Sequence, residues 1–120
     1  MQGLHLTGDL YRCGCEHGLL ADMAKLRARC VELCREAGFE VVGDAFHQFD
    51  GGGGVTGTVL LAESHFAIHT WPETGSVTLD VYVCDYSQDN SDKAESLYGN
   101  ALALLAPAEN LTNRLLRGKR

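Results

Sequence analysis

The chain has 120 residues, of which 45% are hydrophobic and 22% charged, a balance typical of one compact domain spanning residues 1–120. Ten basic residues against sixteen acidic ones give a net charge of -6, which argues against nucleic acid and anionic membranes as partners. The first ten residues do not read as a secretion leader, and no apolar run approaches the roughly 20 residues needed to cross a bilayer, so we expect a cytoplasmic protein.

The five cysteines follow neither a disulfide nor a metal-binding pattern. Cys13 and Cys15 alternate along a predicted strand, whereas Cys30 and Cys34 are one helical turn apart. Together with His17 they would be the candidates for a zinc site, but their spacing matches neither CxxC pairs nor a Cys/His finger. Because small thiol side chains are commonly buried, we predict reduced cysteines and no metal.

The first half of the chain predicts a strand, a helix and a second strand. Leucines alternate through residues 4–10, as in a strand, and apolar residues recur at helical spacing through residues 19–37. Gly38 is well suited to end that helix. A second strand is predicted over residues 39–49, and the glycines of residues 51–54 favour a mobile or tightly turned loop, which we interpret as a flexible loop beside the site.

The central region predicts two strands joined by a tight turn. Residues 55–62 and 65–71 both have strand character, with only Glu63 and Ser64 between them, and this arrangement is typical of a hairpin. Residues 76–84 repeat the alternation of apolar and polar side chains.

Alternation with a period of two assigns the side chains of these strands to faces. Phe66 and Ile68 are expected in the core, while His69 lies on the opposite, polar face of its strand. Cys84 occupies the polar face of its own strand. We therefore expect the two strands to contribute His69 and Cys84 to one shared surface.

The last elements are a helix and a strand. Asn90 or Ser91 is expected to cap the helix, Pro107 to stop it, and residues 111–116 to form the strand. The predicted fold class is α+β, a two-layer sandwich of a mostly antiparallel sheet with helices on one face, in the order βαβββαβ.

Nucleophiles, acids and bases are crowded into about twenty positions of this central region. They are Glu63, Ser64, His65, His69, Glu73, Asp80 and Cys84. Residue types alone do not decide their role, since a turn serine, a surface histidine and a buried cysteine account for the same positions.

The order of these residues is more specific than their types. The strings Gly54-Val55-Thr56-Gly57, Ala62-Glu63-Ser64-His65 and Ile68-His69-Thr70-Trp71-Pro72-Glu73 are followed by Leu79-Asp80-Val81 and Cys84. This pattern closely resembles the prokaryotic S-adenosylmethionine decarboxylase proenzymes, and the resemblance extends over the whole chain. Contiguous strings at the right spacing are a stronger signal than a single short motif.

The resemblance implies that the chain cleaves itself between Glu63 and Ser64, giving a β chain of residues 1–63 and an α chain of residues 64–120. In that family the serine hydroxyl attacks the preceding carbonyl, the amide becomes an ester, and elimination followed by hydrolysis leaves a pyruvoyl cofactor at the former serine. His69 matches the position that moves protons during processing. Thr56 matches a hydroxyl position that helps the acyl shift, where many relatives have serine.

The resemblance also implies the substrate, S-adenosylmethionine, whose decarboxylated form is the aminopropyl donor for spermidine synthesis. The pyruvoyl carbonyl acts as the electron sink, and Cys84 matches the proton donor of catalysis. Phe49 and Trp71 offer aromatic surface for the base and the sulfonium, and Glu73 matches a carboxylate that contacts the nucleoside. Each of these three also has a purely structural interpretation, in the core, in strand support or in contact with water.

Alternatives remain at this point. Relatives on the same scaffold decarboxylate ornithine or arginine, and a relative that never cleaves is a further possibility, although Ser64, His69 and Cys84 are all intact. A serine hydrolase is a weaker hypothesis because Ser64 lacks the GxSxG pattern. A domain this small has a modest core, so we expect a homo-oligomer of processed protomers, at least a dimer.

Overall fold

The computed structural model describes residues 1–85 and 88–119 and has the predicted α+β architecture. Its six strands are β1 (Gln2–Cys13), β2 (Val41–Gln48), β3 (Val55–Leu61), β4 (Ser64–Trp71), β5 (Ser76–Cys84) and β6 (Pro107–Gly118). Its helices are α1 (Met23–Glu36) and α2 (Ser91–Leu105), with a 3₁₀ turn at Leu19–Ala21. Within these described ranges, no helix is both long and apolar enough to cross a membrane.

The strands form one antiparallel sheet in the order β2-β3-β4-β5-β1-β6. The two helices pack on one side of it, so this side becomes the core. We call the other side the open face. Its main residues are His5, Thr7 and Asp9 on β1, Thr56, Thr58 and Leu60 on β3, His65, Ala67, His69 and Trp71 on β4, Thr78, Asp80, Tyr82 and Cys84 on β5, and Leu111 and Leu115 on β6.

The two-layer class is confirmed, but the predicted order βαβββαβ is one strand short. Four strands, β2 to β5, lie between the helices. Strands β2, β3 and β5 fall within segments predicted as strand, and β4 begins one residue before its predicted segment. The last strand begins at Pro107 rather than at residue 111, because Ala106 adopts a left-handed conformation (φ 48°) that ends α2 and turns the chain back along β1.

Helix α1 is shorter than the apolar spacing predicts. Asp22 interrupts the helix because its backbone is extended and its side chain accepts a hydrogen bond from the backbone N–H of Lys25 at 3.1 Å, so α1 begins at Met23 rather than at Leu19. The predicted end is confirmed. Gly38 adopts φ 92° and donates its N–H to the carbonyl of Arg35.

The hairpin between β3 and β4 is displaced by one residue from the prediction. Leu61 pairs with Ser64, so the two turn residues are Ala62 and Glu63 instead of Glu63 and Ser64. Ser64 is therefore the first residue of β4, and the turn belongs entirely to the segment before it. The expected alternation is confirmed, since Phe66 and Ile68 are both buried in the core.

The glycine loop after β2 has the tightly turned form. The N–H of Phe49 donates to the carbonyl of Gly54 at 2.9 Å, and the side-chain amide of Gln48 donates to the carbonyl of Gly53 at 3.0 Å. These bonds close the loop beside the beginning of β3.

The cysteines are free thiols, and two of them lie in the core as expected. Burial raises the pKa of the Cys34 thiol to about 12, so it stays protonated at neutral pH. Cys13 ends β1, and Cys15 lies beyond that strand rather than alternating along it. No group of three or more His, Cys, Asp or Glu side chains that could hold a metal ion occurs among the described residues.

Truncation of the core should destabilise the sheet. Leu79 is only 1% exposed, so Leu79→Ala should lower the free energy of unfolding by about 2–5 kcal/mol through lost burial and a residual cavity. Val42, which is 61% exposed, is the matched control, and Val42→Ala should change it by no more than about 0.5 kcal/mol. Urea unfolding followed by circular dichroism checks both, and equal losses would contradict the assignment of the core.

Candidate active site

The first group of candidate residues lies where β4 begins and β5 ends. We call it the Ser64 end, and it consists of Glu63, Ser64 and Cys84. The backbone N–H of Cys84 donates a hydrogen bond of 3.4 Å to the Ser64 hydroxyl oxygen. Both residues are half-buried, so the bond between Glu63 and Ser64 lies in a partly protected position rather than in a free loop.

The second group lies at the opposite end of the same strands. We call it the His69 end, and it consists of Phe49, Thr56, His69, Trp71 and Glu73. Thr56 and His69 are direct cross-strand partners, with 3.1 Å between the threonine hydroxyl and His69 Nδ1. The His69 and Trp71 rings are 6.4 Å apart. A cavity of about 320 Å³ opens beside His69 between β2, β3 and β4.

The aromatic and acidic residues at the His69 end are accessible. Phe49 and Trp71 are 51% and 43% exposed, and Phe49 stacks edge-on against the His47 ring at 4.7 Å between centroids. Glu73 is exposed in the tight turn that follows β4. None of the three is part of the hydrophobic core, so their surfaces are available to another molecule.

The two ends do not meet within one chain. Ser64 and His69 are five positions apart on β4, which corresponds to roughly 16 Å along the strand. His69 pairs with Thr78, and six residues of β5 then lead to Cys84, roughly 20 Å away. His69 and Cys84 share the open face as expected, but at opposite ends of it.

A polar cluster between the two ends was not predicted from the sequence. His5 Nε2 lies 3.0 Å from Asp80 Oδ1, and Arg117 donates to His5 Nδ1 at 3.0 Å. Because Arg117 can only donate, Nδ1 accepts and Nε2 carries the hydrogen that His5 donates to Asp80. Three different strands supply these side chains, so no local motif connects them.

His65 lies against the same cluster. Its ring is 6.4 Å from that of His5 and 5.6 Å from that of Tyr82. Burial lowers the pKa of His65 below its ordinary value, and the neighbouring His5 lowers it further, while Asp80 partly opposes both. The lowered pKa favours the uncharged form of His65 at neutral pH.

The sequence matches a family of known proteins. The family model described as S-adenosylmethionine decarboxylase matches residues 4–117. The chain belongs to this family.

Several relatives in the family carry the name S-adenosylmethionine decarboxylase proenzyme. One from Pelotomaculum thermopropionicum is 43% identical over 82 residues, which are 68% of this chain and 63% of the relative. One from Caldanaerobacter subterraneus is 36% identical over 110 residues, which are 92% of this chain and 82% of the relative. The match to the first relative thus spans less than two thirds of that protein's length.

A solved structure extends the likeness to the fold. The crystal structure of the adenosylmethionine decarboxylase from Aquifex aeolicus superposes with a TM-score of 0.83 at 33% identity, covering 98% of this chain and 92% of that one. The chain therefore shares its overall fold with that decarboxylase.

The ionisation of His65 should respond to its neighbours in opposite directions. His5→Gln removes the electrostatic contribution of the His5 ring that lowers the pKa of His65 and should raise that pKa, whereas Asp80→Asn removes an attractive charge and should lower it. Titration of the imidazole C–H signals by NMR measures both shifts. His17→Gln, which alters an exposed histidine, is the control and should leave the midpoint unchanged.

The lowered pKa of His65 also determines how its contribution to folding stability changes with pH. Because the folded-state pKa of His65 lies below the unfolded value of 6.5, the unfolded chain binds the proton first as the pH falls. The contribution of His65 to stability is thus fully present above 6.5 and is lost as the pH falls from 6.5 through the lower, folded-state pKa. A shift of the His65 midpoint upward on Asp80→Asn would contradict the charge assignment.

Proposed function

We propose that the chain is a proenzyme that cleaves itself between Glu63 and Ser64 and then decarboxylates S-adenosylmethionine. The observation that carries this proposal is the location of Ser64, which is the first residue of β4, directly after a two-residue turn, with its hydroxyl held by Cys84 N–H. Relatives named as proenzymes of this decarboxylase support it.

The cleavage chemistry begins at the Ser64 hydroxyl. Its oxygen attacks the carbonyl carbon of Glu63, so that a C–O ester bond forms, the amide C–N bond breaks and the nitrogen of residue 64 is protonated. Removal of the proton from Cα of residue 64 then expels the Glu63 carboxylate. Hydrolysis of the resulting dehydroalanine releases ammonia and leaves a pyruvoyl group at the start of residues 64–120.

The residues at the Ser64 end fit this cofactor because its carbons are those of Ser64 itself. The pyruvoyl group supplies an electron-accepting carbonyl for loss of carbon dioxide from the substrate. Cys84 is the neighbouring proton carrier, since its side chain belongs to the open face and its backbone already contacts Ser64. We assign it the return of a proton to the substrate carbon.

The residues at the His69 end fit the rest of the reaction. Thr56 and His69 form a hydroxyl–imidazole pair able to move the protons that processing requires. The exposed rings of Phe49 and Trp71 suit an adenine and a sulfonium cation, and the carboxylate of Glu73 suits the hydroxyls of a ribose. Ornithine and arginine have neither a nucleobase nor a ribose, so this set of side chains favours S-adenosylmethionine.

We infer that a second copy of the chain completes the site. The two ends of the open face are roughly 16 Å apart, which is too far for one substrate's reacting atoms to contact Ser64 and His69 of the same chain. The helices leave the open face uncovered, and Leu60, Trp71, Leu111 and Leu115 on it are exposed. Two copies packed face to face about a two-fold axis would bring the His69 end of each over the Ser64 end of the other.

The five free thiols are consistent with a cytoplasmic enzyme.

Loss of the nucleophile should abolish cleavage. Wild-type protein should appear by intact-mass spectrometry as residues 1–63 and residues 64–120, with the second fragment modified by a carbonyl reagent. Ser64→Ala should remain a single chain because no hydroxyl attacks Glu63. Ser76→Ala, at an exposed hydroxyl elsewhere, is the matched control and should cleave normally.

The cut wild-type protein should release carbon dioxide from S-adenosylmethionine and not from ornithine or arginine. Cleavage of Ser64→Ala would refute the assigned bond. Carbon dioxide released faster from either amino acid would refute the assigned substrate.

Two inactive variants should rescue each other if the site is shared. Ser64→Ala keeps His69, and His69→Ala keeps Ser64, so a mixed dimer has one site with both functional residues contributed by different chains. Co-expression should yield cleavage of the His69→Ala chain only, up to about half of it if dimers form at random. Tagged chains separated by mass measure this, and failure of co-expression to cleave any chain would place both residues of a site in one protomer.

A further inference from the structure

A second cavity lies on the helix side of the Glu63–Ser64 bond, opposite the open face. Its volume is about 260 Å³, and its lining includes both residues of that bond, Phe39 and Glu40 after α1, and Lys93 of α2. The turn is fixed to this wall because the N–H of Ala62 donates to the carbonyl of Glu40 at 3.2 Å. The bond to be cleaved therefore borders a cavity on the helix side of the sheet.

Lys93 is the cation of this pocket. Its ammonium group donates to the carbonyl of Gly38 at 3.3 Å and lies 5.8 Å from the centre of the Phe39 ring. Among the described residues no carboxylate pairs with it, whereas Lys25 pairs with Glu16 at 3.2 Å. Lys93 is thus held by neutral acceptors, with its charge available to an anion.

Glu63 presents the complementary feature. Its Oε2 atom is, among the described residues, the one buried side-chain nitrogen or oxygen that lacks a hydrogen-bond partner. A buried carboxylate oxygen without a donor carries a desolvation cost that an ammonium group would offset. An unpaired anion and an unpaired cation therefore line one small cavity.

Self-cleavage would add a second anion at the same place. Elimination converts the backbone carbonyl of Glu63 into a terminal carboxylate, so that two negative charges then occupy the end of residues 1–63. We propose that Lys93 binds this new carboxylate and holds the fragment's end in the helix-side pocket. The flexible four-carbon stem of lysine allows its ammonium group to reorient within a cavity of this size. This inference rests on the proposed self-cleavage.

The consequence is a separation of roles across the sheet. The freed end of residues 1–63 would stay on the helix side, and the opposite side of the former Ser64 would be left for the substrate. Lys93 is in this sense a positioning residue that acts on the product of processing.

The test compares the same substitution in cut and uncut protein. Lys93→Met removes the charge and keeps most of the stem, and it is placed both in the wild-type chain and in Ser64→Ala, which cannot cleave. After intact-mass spectrometry shows complete cleavage of the first, melting temperatures are measured. Lys93→Met should lower the melting temperature of the cut protein by about 4 °C more than that of Ser64→Ala. Lys93→Arg should restore the melting temperature of the cut protein. Lys25→Met, the control, should shift the melting temperatures of the cut protein and of Ser64→Ala equally.

A second measurement addresses the fragment's end directly. Carboxypeptidase Y should remove Glu63 from cut Lys93→Met at least about fivefold faster than from cut Lys25→Met, because the end is no longer held. Lys93→Gln replaces Lys93→Met in both measurements if the latter does not fold. Equal melting shifts in cut and uncut protein, or equal trimming, would overturn this inference and leave the proposed cleavage intact. A wild-type chain that stays uncut would overturn both.

Discussion

The antiparallel register of β4 between β3 and β5 determines where every candidate residue lies. Leu61 opposite Ser64 leaves a turn of two residues, and the same register sets His69 opposite Thr56. Because side chains alternate with a period of two, a slip of one residue would move Phe66 onto the open face and His69 into the core. Burial of the apolar side chains opposes that slip. The contacts that hold the sheet together therefore also hold Ser64 at its turn.

The same sheet explains how the fold would survive a cut in its own hairpin. Residues 1–63 supply β1, β2, β3 and α1, and residues 64–119 supply β4, β5, β6 and α2. The two sets interleave, because β1 lies between β5 and β6. The proposed cleavage after Glu63 would remove one covalent link but none of the strand ladders or core contacts. Neither fragment has a complete core without the other, so the fragments would stay associated after the proposed cleavage.

Local patterns predicted the elements well and their assembly less well. Alternation identified the buried face of β4, but it placed the turn one residue late. The apolar run of β3 continues into Ala62, so the pattern does not show that the strand ends at Leu61. The apolar spacing from Leu19 continues through the 3₁₀ turn, so only the hydrogen bond of Asp22 reveals where α1 begins. The cluster of His5, Asp80 and Arg117 depends on β1 pairing with strands far along the chain. The family resemblance identifies both Ser64 and His69 as site residues, but it does not show that they come from different copies. The argument for different copies is the distance between the two residues along β4.

The surroundings of Ser64 differ on the two sides of the sheet, and this difference orders the proposed reaction. On the open face, Asp80 already has a hydrogen bond from His5, and the lowered pKa of His65 favours its uncharged form. A second copy can cover such a face with a smaller desolvation cost than a face of unpaired charges would impose. On the helix side, Lys93 keeps an unpaired charge beside the bond that would break. The proposed processing would therefore release its carboxylate toward Lys93, and the open face that would bind the cationic substrate and the second copy would carry no additional negative charge.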